Sequence, residues 1–79
     1  MNDKPYELHV DAREMICPMP LLKLKQALNQ IDGGEIVSLV ATDPTSKRDI
    51  TAFARLAQHK LSCVEDKGEL SFLVTKKEC

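Results

Sequence analysis

The chain has 79 residues, 43% of them hydrophobic, which suits one small domain around one core and excludes a multidomain enzyme. Eleven basic and twelve acidic residues leave a formal net charge of -1, so the electrostatic footprint of a general nucleic-acid binder is missing, and aromatics at 4% leave few stacking platforms. No hydrophobic run approaches bilayer-crossing length and no apolar stretch follows a basic start, so a cytoplasmic protein with no membrane role is expected. The three cysteines, at positions 17, 63 and 79, form no C-x-x-C pair, which argues for reduced thiols over a disulfide scaffold or a metal site.

In chain order, residues 6–10 alternate with period two and predict a half-buried strand, followed by a loop through Asp11-Ala12-Arg13 that delivers Cys17. From Pro18 to about Ile31, projection at 100° per residue gathers Leu21, Leu24, Ala27, Leu28 and Ile31 on one stripe and predicts an amphipathic helix, stopped by Asp32-Gly33-Gly34. Residues 35–42 are apolar and β-branched enough for a central strand. Ser46 with Asp49 three residues later approximates a capping box and predicts a second helix running to about Lys60, with Ile50, Phe53, Ala54 and Ala57 on its inner face. Residues 61–65 and 70–75 flank a glycine-containing turn and predict a closing antiparallel hairpin. The order β-α-β-α-β-β predicts two layers, with helices covering a four-stranded mixed sheet in a single domain spanning residues 1–79.

Cys17 carries the leading functional signal. It precedes Pro18-Met19-Pro20 and an apolar helical run, and proline suits the first helical positions because its missing N–H has no intrahelical partner there. Cys17 is therefore read as the N-cap, where free N–H groups and the positive end of the macrodipole favour thiolate or persulfide over neutral thiol. A buried, inert cysteine is the plain alternative for any single cysteine, but a core residue gains nothing from a Cys-Pro-x-Pro frame.

The residues Val10-Asp11-Ala12-Arg13, Cys17-Pro18-Met19-Pro20, Ala41-Thr42-Asp43-Pro44 and Arg48-Asp49-Ile50, with His59 before the last strands, resemble the TusA/SirA sulfur-carrier family over nearly the whole chain. The resemblance implies an α+β two-layer sandwich with both helices on one face of the mixed sheet. It implies that Cys17 accepts sulfane sulfur as a persulfide from a cysteine desulfurase or rhodanese-type donor and passes it to a cysteine of an acceptor protein. Family pathways include tRNA thiolation, molybdenum-cofactor biosynthesis and sulfur oxidation. The chain would then be a monomeric sulfurtransferase component of a relay rather than a stand-alone enzyme, with no cofactor beyond the sulfur it carries. It departs from the family in having Glu14 where glycine is common, and Phe53 where helix two often has tryptophan or another aromatic.

Persulfide exchange needs a nucleophilic sulfur, access and a leaving thiol, so no separate base or metal is required of the carrier. Pro18 and Pro20 are expected to shape the site. Leu22 and Met19 project about 60° apart and away from the apolar stripe, and with Met15 and Ile16 they would form an apolar collar for docking a donor or acceptor. Arg13, Lys47 and Arg48 would lower the Cys17 pKa, or dock an acidic partner, if the first loop and the start of helix two share one edge of the sheet. Asp43 is either a partner contact or an Asx-turn residue before Pro44. His9 and His59 are expected at the surface, Cys63 is expected to pack, and Cys79 is expected to fray. A binding or regulatory module that leaves sulfur untouched, and a peroxide-reactive thiol sensor, are the alternative functions.

Overall fold

A computed structural model describes residues 6–16 and 18–78. Its elements are β1 (Leu8–Ala12), α1 (Met19–Leu28), β2 (Ile36–Ala41), α2 (Thr45–Ala57), β3 (Lys60–Asp66) and β4 (Glu69–Thr75). The four strands form one mixed sheet in the order β1-β2-β4-β3, with β1 parallel to β2 and the other neighbours antiparallel. Both helices lie on one face, giving the two-layer sandwich that the element order predicts.

Period-two alternation builds the buried face row by row. Leu8, Val37, Val74 and Leu61 align across the four strands, as do Val10, Leu39, Phe72 and Cys63, and then Ala12, Ala41, Leu70 and Glu65. Phe72, Leu39, Val37 and Val74 are fully buried there. Against them α1 sets Leu24, Ala27 and Leu28, with Ile31 just beyond its end, while α2 sets Ile50. The hydrophobic stripes of two short helices thus find their partner in one apolar sheet face, which is what stabilises helices of this length. Lys25 of α1 reaches over the Phe53 ring of α2 at 5.2 Å and ties the helices at their outer surface.

Element ends differ from the sequence reading for local reasons. The first strand is Leu8–Ala12 rather than residues 6–10, because Asp11 and Ala12 keep pairing, opposite Val40 and Ala41. Helix α1 ends at Leu28, before Ile31, through a turn closed by the Gln30 N–H on the Ala27 carbonyl at 2.9 Å. Helix α2 stops at Ala57 rather than Lys60 because Gln58 is left-handed, and the His59 N–H closes the end on the Ala54 carbonyl at 2.9 Å. The β3–β4 turn places Lys67 and Gly68 at φ 52 and 82, the left-handed pair that a two-residue hairpin requires. At the other end of the sheet Gly33 allows close approach of the C-terminal segment, since a Cβ there would stand 2.9 Å from the Lys77 carbonyl oxygen. Among the described residues no helix is long and apolar enough to cross a membrane.

Candidate functional site

Parallel pairing of β1 with β2 fixes where the chemistry-bearing loops meet. Ala12 stands beside Ala41, so the segment leading to α1 and the segment leading to α2 leave the same end of the sheet. Ala41 also pairs with Leu70, which brings the β3–β4 turn to that end. Arg13, Glu14, Thr42, Asp43, Lys47, Arg48 and Glu69 are therefore assembled at one pole, together with both helix N-termini.

Cys17 itself lies outside the described residues. Its neighbours define the setting: Ile16 is 75% exposed, Met19 41% and Leu22 43%, and Pro18 is exposed too. Two anchors hold the exposed Ile16, Pro18 and Met19. Met15 packs against the core upstream, and Pro20 is fully buried downstream. Met15 thus leaves the collar expected from sequence and becomes part of its foundation. The exposed rim consists of Ile16, Met19 and Leu22.

The cap of α1 is Pro18, at φ -98 and ψ 15, and not Cys17. This changes the electrostatic argument. Pro18 and Pro20 carry no N–H, and the Met19 N–H already donates to the Ile16 carbonyl at 2.9 Å. Helix α1 therefore offers an anion its macrodipole more than a set of free amides. Neither helix has an acidic residue in its first turn, and α2 places Lys47 and Arg48 near its start, where the dipole opposes cations.

The loop after β1 is tightly specified. Arg13 donates to Asp11 through Nε at 3.0 Å and Nη2 at 2.9 Å, and its Nη1 lies 3.7 Å from Glu69 Oε2 across the sheet. Side-chain hydrogen bonds from Arg13 hold the Asp11 carboxyl down at about 2, and Asp11 in turn raises Arg13 above its ordinary value. Arg13 is thus committed to two carboxylates rather than available as an isolated cation. Glu14 adopts φ 65, the left-handed region, and its N–H donates to Thr42 Oγ1 at 2.8 Å. The family's glycine at this position matches that backbone. Asp11, Arg13, Glu14, Thr42 and Glu69 line an open depression of about 460 Å³.

Asp43 is an Asx-turn residue. Its Oδ1 accepts the Thr45 N–H at 3.0 Å and the Thr45 hydroxyl at 2.9 Å, and its carbonyl accepts the Ser46 N–H at 2.9 Å. Ser46 is accordingly not the cap predicted from the Ser46/Asp49 spacing; Pro44 holds that position, and Ser46 turns inward at 2% exposure. Arg48 lies 3.4 Å from Asp49 Oδ1. Lys47 lines a small cleft with Thr42, Pro44, Glu65, Gly68 and Leu70, and also borders an open groove with Arg48, Thr51 and Arg55 along the outside of α2.

Cys63 sits on the core-facing row beside Phe72, half-buried, and burial pushes its thiol up. His9 is exposed and shares a 3.1 Å hydrogen bond with Ser38. His59 is only half-exposed, because its Nδ1 accepts the Lys77 N–H at 2.9 Å; burial, with Lys76 and Lys77 nearby, lowers its pKa. Sequence reasoning missed Thr42 and Glu69, whose roles depend on contacts 28 and 56 residues away, as well as the buried hydroxyl of Ser46. Among the described residues no group of three or more His, Cys, Asp or Glu is placed to hold a metal ion.

This fold and pole define a small two-layer α+β domain that exposes the apolar side chains Ile16, Met19 and Leu22 around the start of α1. Residues 9–76 match the family described as Sulfurtransferase TusA, and the chain belongs to that family. It is 37% identical over 68 residues to YrkI of Bacillus subtilis, covering 85% of this chain and 91% of that one. It is 35% identical over 72 residues to the sulfur carrier protein TusA of Allochromatium vinosum, covering 90% and 95%. The crystal structure of a SirA-like protein from Desulfitobacterium hafniense superposes with a TM-score of 0.80 at 19% identity, over 91% of this chain and all of that one, and shares the fold.

Proposed function

We propose that this chain is a sulfur carrier whose Cys17 takes up sulfane sulfur from a cysteine desulfurase or rhodanese-type donor and delivers it to an acceptor protein. The observation that carries this reading is the exposed rim of Ile16, Met19 and Leu22 flanking a Cys-Pro-x-Pro cysteine in a TusA-family chain. In loading, the Cys17 thiolate attacks the terminal sulfur of a donor persulfide. The new S–S bond forms as the donor's S–S bond breaks, and the donor cysteine leaves as thiolate. Delivery repeats the exchange with the acceptor's thiolate as nucleophile and Cys17 as leaving group, so no net oxidation occurs and no cofactor is consumed.

Each feature at the pole has a place in that cycle. The two helix dipoles favour the anionic sulfur before and after transfer. Met19 and Leu22 supply apolar contact, with methionine able to adapt to more than one partner surface. Lys47 and Arg48 steer an acidic partner toward the pole. Pro18 and the buried Pro20 fix the direction in which the loop leaves α1.

The test is intact-mass measurement after incubation with a cysteine desulfurase and cysteine. Wild type gains the mass of one sulfur atom, and Cys17→Ser does not. An unmodified wild-type mass with both desulfurase and rhodanese donors would overturn the proposal.

A further inference from the structure

Strand β3 leaves one edge of the sheet open: among the described residues its strand neighbour is β4 alone. Register decides which backbone groups that neighbour uses. The two-residue turn Lys67-Gly68 closes on Asp66 and Glu69, the hydrogen-bonded pair of such a hairpin. Hydrogen-bonded and non-hydrogen-bonded pairs alternate along an antiparallel ladder. Val64, Ser62 and Lys60 therefore turn their N–H and C=O groups toward Ser71, Leu73 and Thr75, whereas Leu61, Cys63 and Glu65 turn theirs outward. Among the described residues no backbone hydrogen bond outside the sheet reaches those outward groups.

A cationic groove borders this edge. Helix α2 turns Phe53 toward α1, where Lys25 covers the ring. At 100° per residue, Lys47, Thr51 and Arg55 fall on the opposite flank of the helix, the β3 side. With Arg48 they line an open groove of about 500 Å³. Lys47, Arg48 and Arg55 are all exposed, and no salt bridge to a described residue neutralises Lys47 or Arg55. Lys47 joins the groove to the strand, since it also lines the cleft that holds Glu65 and Gly68, and its charge acts on the Cys63 thiol.

We propose that edge and groove together take an extended acidic segment of a partner protein, which adds to β3 as a further strand and turns alternate carboxylates into the groove. The edge supplies directed backbone bonds, and the groove selects the charge of the side chains that stand on its side of the sheet. A second copy of this chain is the poorer occupant, because pairing two β3 edges sets two cationic α2 flanks against each other. A nucleic-acid backbone is opposed by Glu65 and Asp66, both exposed on the same strand. The surface goes beyond the carrier reading and does not depend on it, since no residue of the Cys-Pro-x-Pro motif takes part.

The experiment titrates the reduced full chain with the peptide acetyl-Thr-Glu-Val-Glu-Val-Glu-Thr-amide and follows backbone amides by NMR and hydrogen exchange. In the free protein the Leu61, Cys63 and Glu65 amides are expected to exchange faster than those of Ser62 and Val64. Saturating peptide slows them about tenfold or more and shifts the signals of Lys47, Thr51 and Arg55. The double variant Lys47→Glu/Arg55→Glu, at exposed positions, keeps the free exchange pattern and weakens binding about tenfold or more. A peptide with lysine in place of each glutamate, and one N-methylated at the amides that face β3, both fail to bind. Absence of protection at Leu61, Cys63 and Glu65 in millimolar peptide would overturn the proposal, as would equal binding of the lysine peptide. Edge shifts that follow protein concentration without peptide would overturn it in favour of a second copy. The same shifts produced by a single-stranded RNA oligonucleotide, with the peptide inert, would overturn it in favour of nucleic acid.

Discussion

Replacing Glu14 with glycine isolates the backbone strain in the loop that leads to Cys17. At φ 65 a residue with a Cβ is held where its side chain crowds the following carbonyl, at a cost of about 1–2 kcal/mol. Glycine removes that crowding but loses about 0.5–1 kcal/mol more backbone entropy on folding. Little else changes: the Glu14 N–H bond to Thr42 Oγ1 at 2.8 Å comes from the backbone and survives, and the exposed Glu14 side chain forms no ion pair among the described residues. The net expectation for Glu14→Gly is a gain of about 0.5–1 kcal/mol, equivalent to roughly 2–8 °C in Tm for a domain of this size. Urea titration and thermal melting by circular dichroism read it directly. Glu14→Ala keeps the Cβ and gains nothing, whereas Thr42→Val removes the acceptor and loses about 1 kcal/mol. A Glu14→Gly protein no more stable than wild type, or an alanine variant equally stabilised, would refute the strain argument.

Phe72→Ala removes the fully buried ring at the centre of the sheet, at a cost of about 3–5 kcal/mol, so much of the far-UV signal should be lost at 37 °C; native melting would contradict the core assignment. The Asp11 carboxyl should titrate near 2 by NMR because Arg13 binds its ionised form. Any stability from the pair is therefore complete above the unfolded carboxylate value and fades as pH falls toward 2. An Asp11 midpoint near 4 would break that account. Met19→Asp and Leu22→Asp place charge on exposed positions, so folding should be preserved while the sulfur-loading rate drops about tenfold or more; unchanged loading would remove the rim from partner docking.

Much of the fold was legible because the sequence carries clear periods. The Leu24, Ala27, Leu28 stripe buries as its spacing implies, and the apolar, β-branched run of residues 35–42 forms a central strand that buries Val37, Leu39 and Ala41. Caps were harder, because short side chains near a helix start compete. Asp43-Pro44-Thr45 closed an Asx turn one residue ahead of the Ser46 that the spacing favoured, and that displacement turned Ser46 inward. Cys17 looked like the cap of α1 because prolines accept the first helical positions, yet the helix is capped by Pro18. The consequence is chemical, since it removes amides from the start of the helix. The bridge from Arg13 to Glu69 had no local signal at all, because only the strand order brings these residues together. The left-handed backbone of Glu14 was visible in sequence only as a non-glycine where the family commonly has glycine.

Tryptic mapping of the sulfur-loaded protein under non-reducing conditions decides where the sulfur resides. Cleavage after Arg13 and Lys23 releases residues 14–23, a peptide whose one cysteine is Cys17, apart from those bearing Cys63 and Cys79. The added sulfur is expected on that peptide alone, and it should leave when an acceptor thiol is supplied. Sulfur found on the Cys63 or Cys79 peptide, with residues 14–23 unmodified, would contradict the assignment of Cys17 as the carrier.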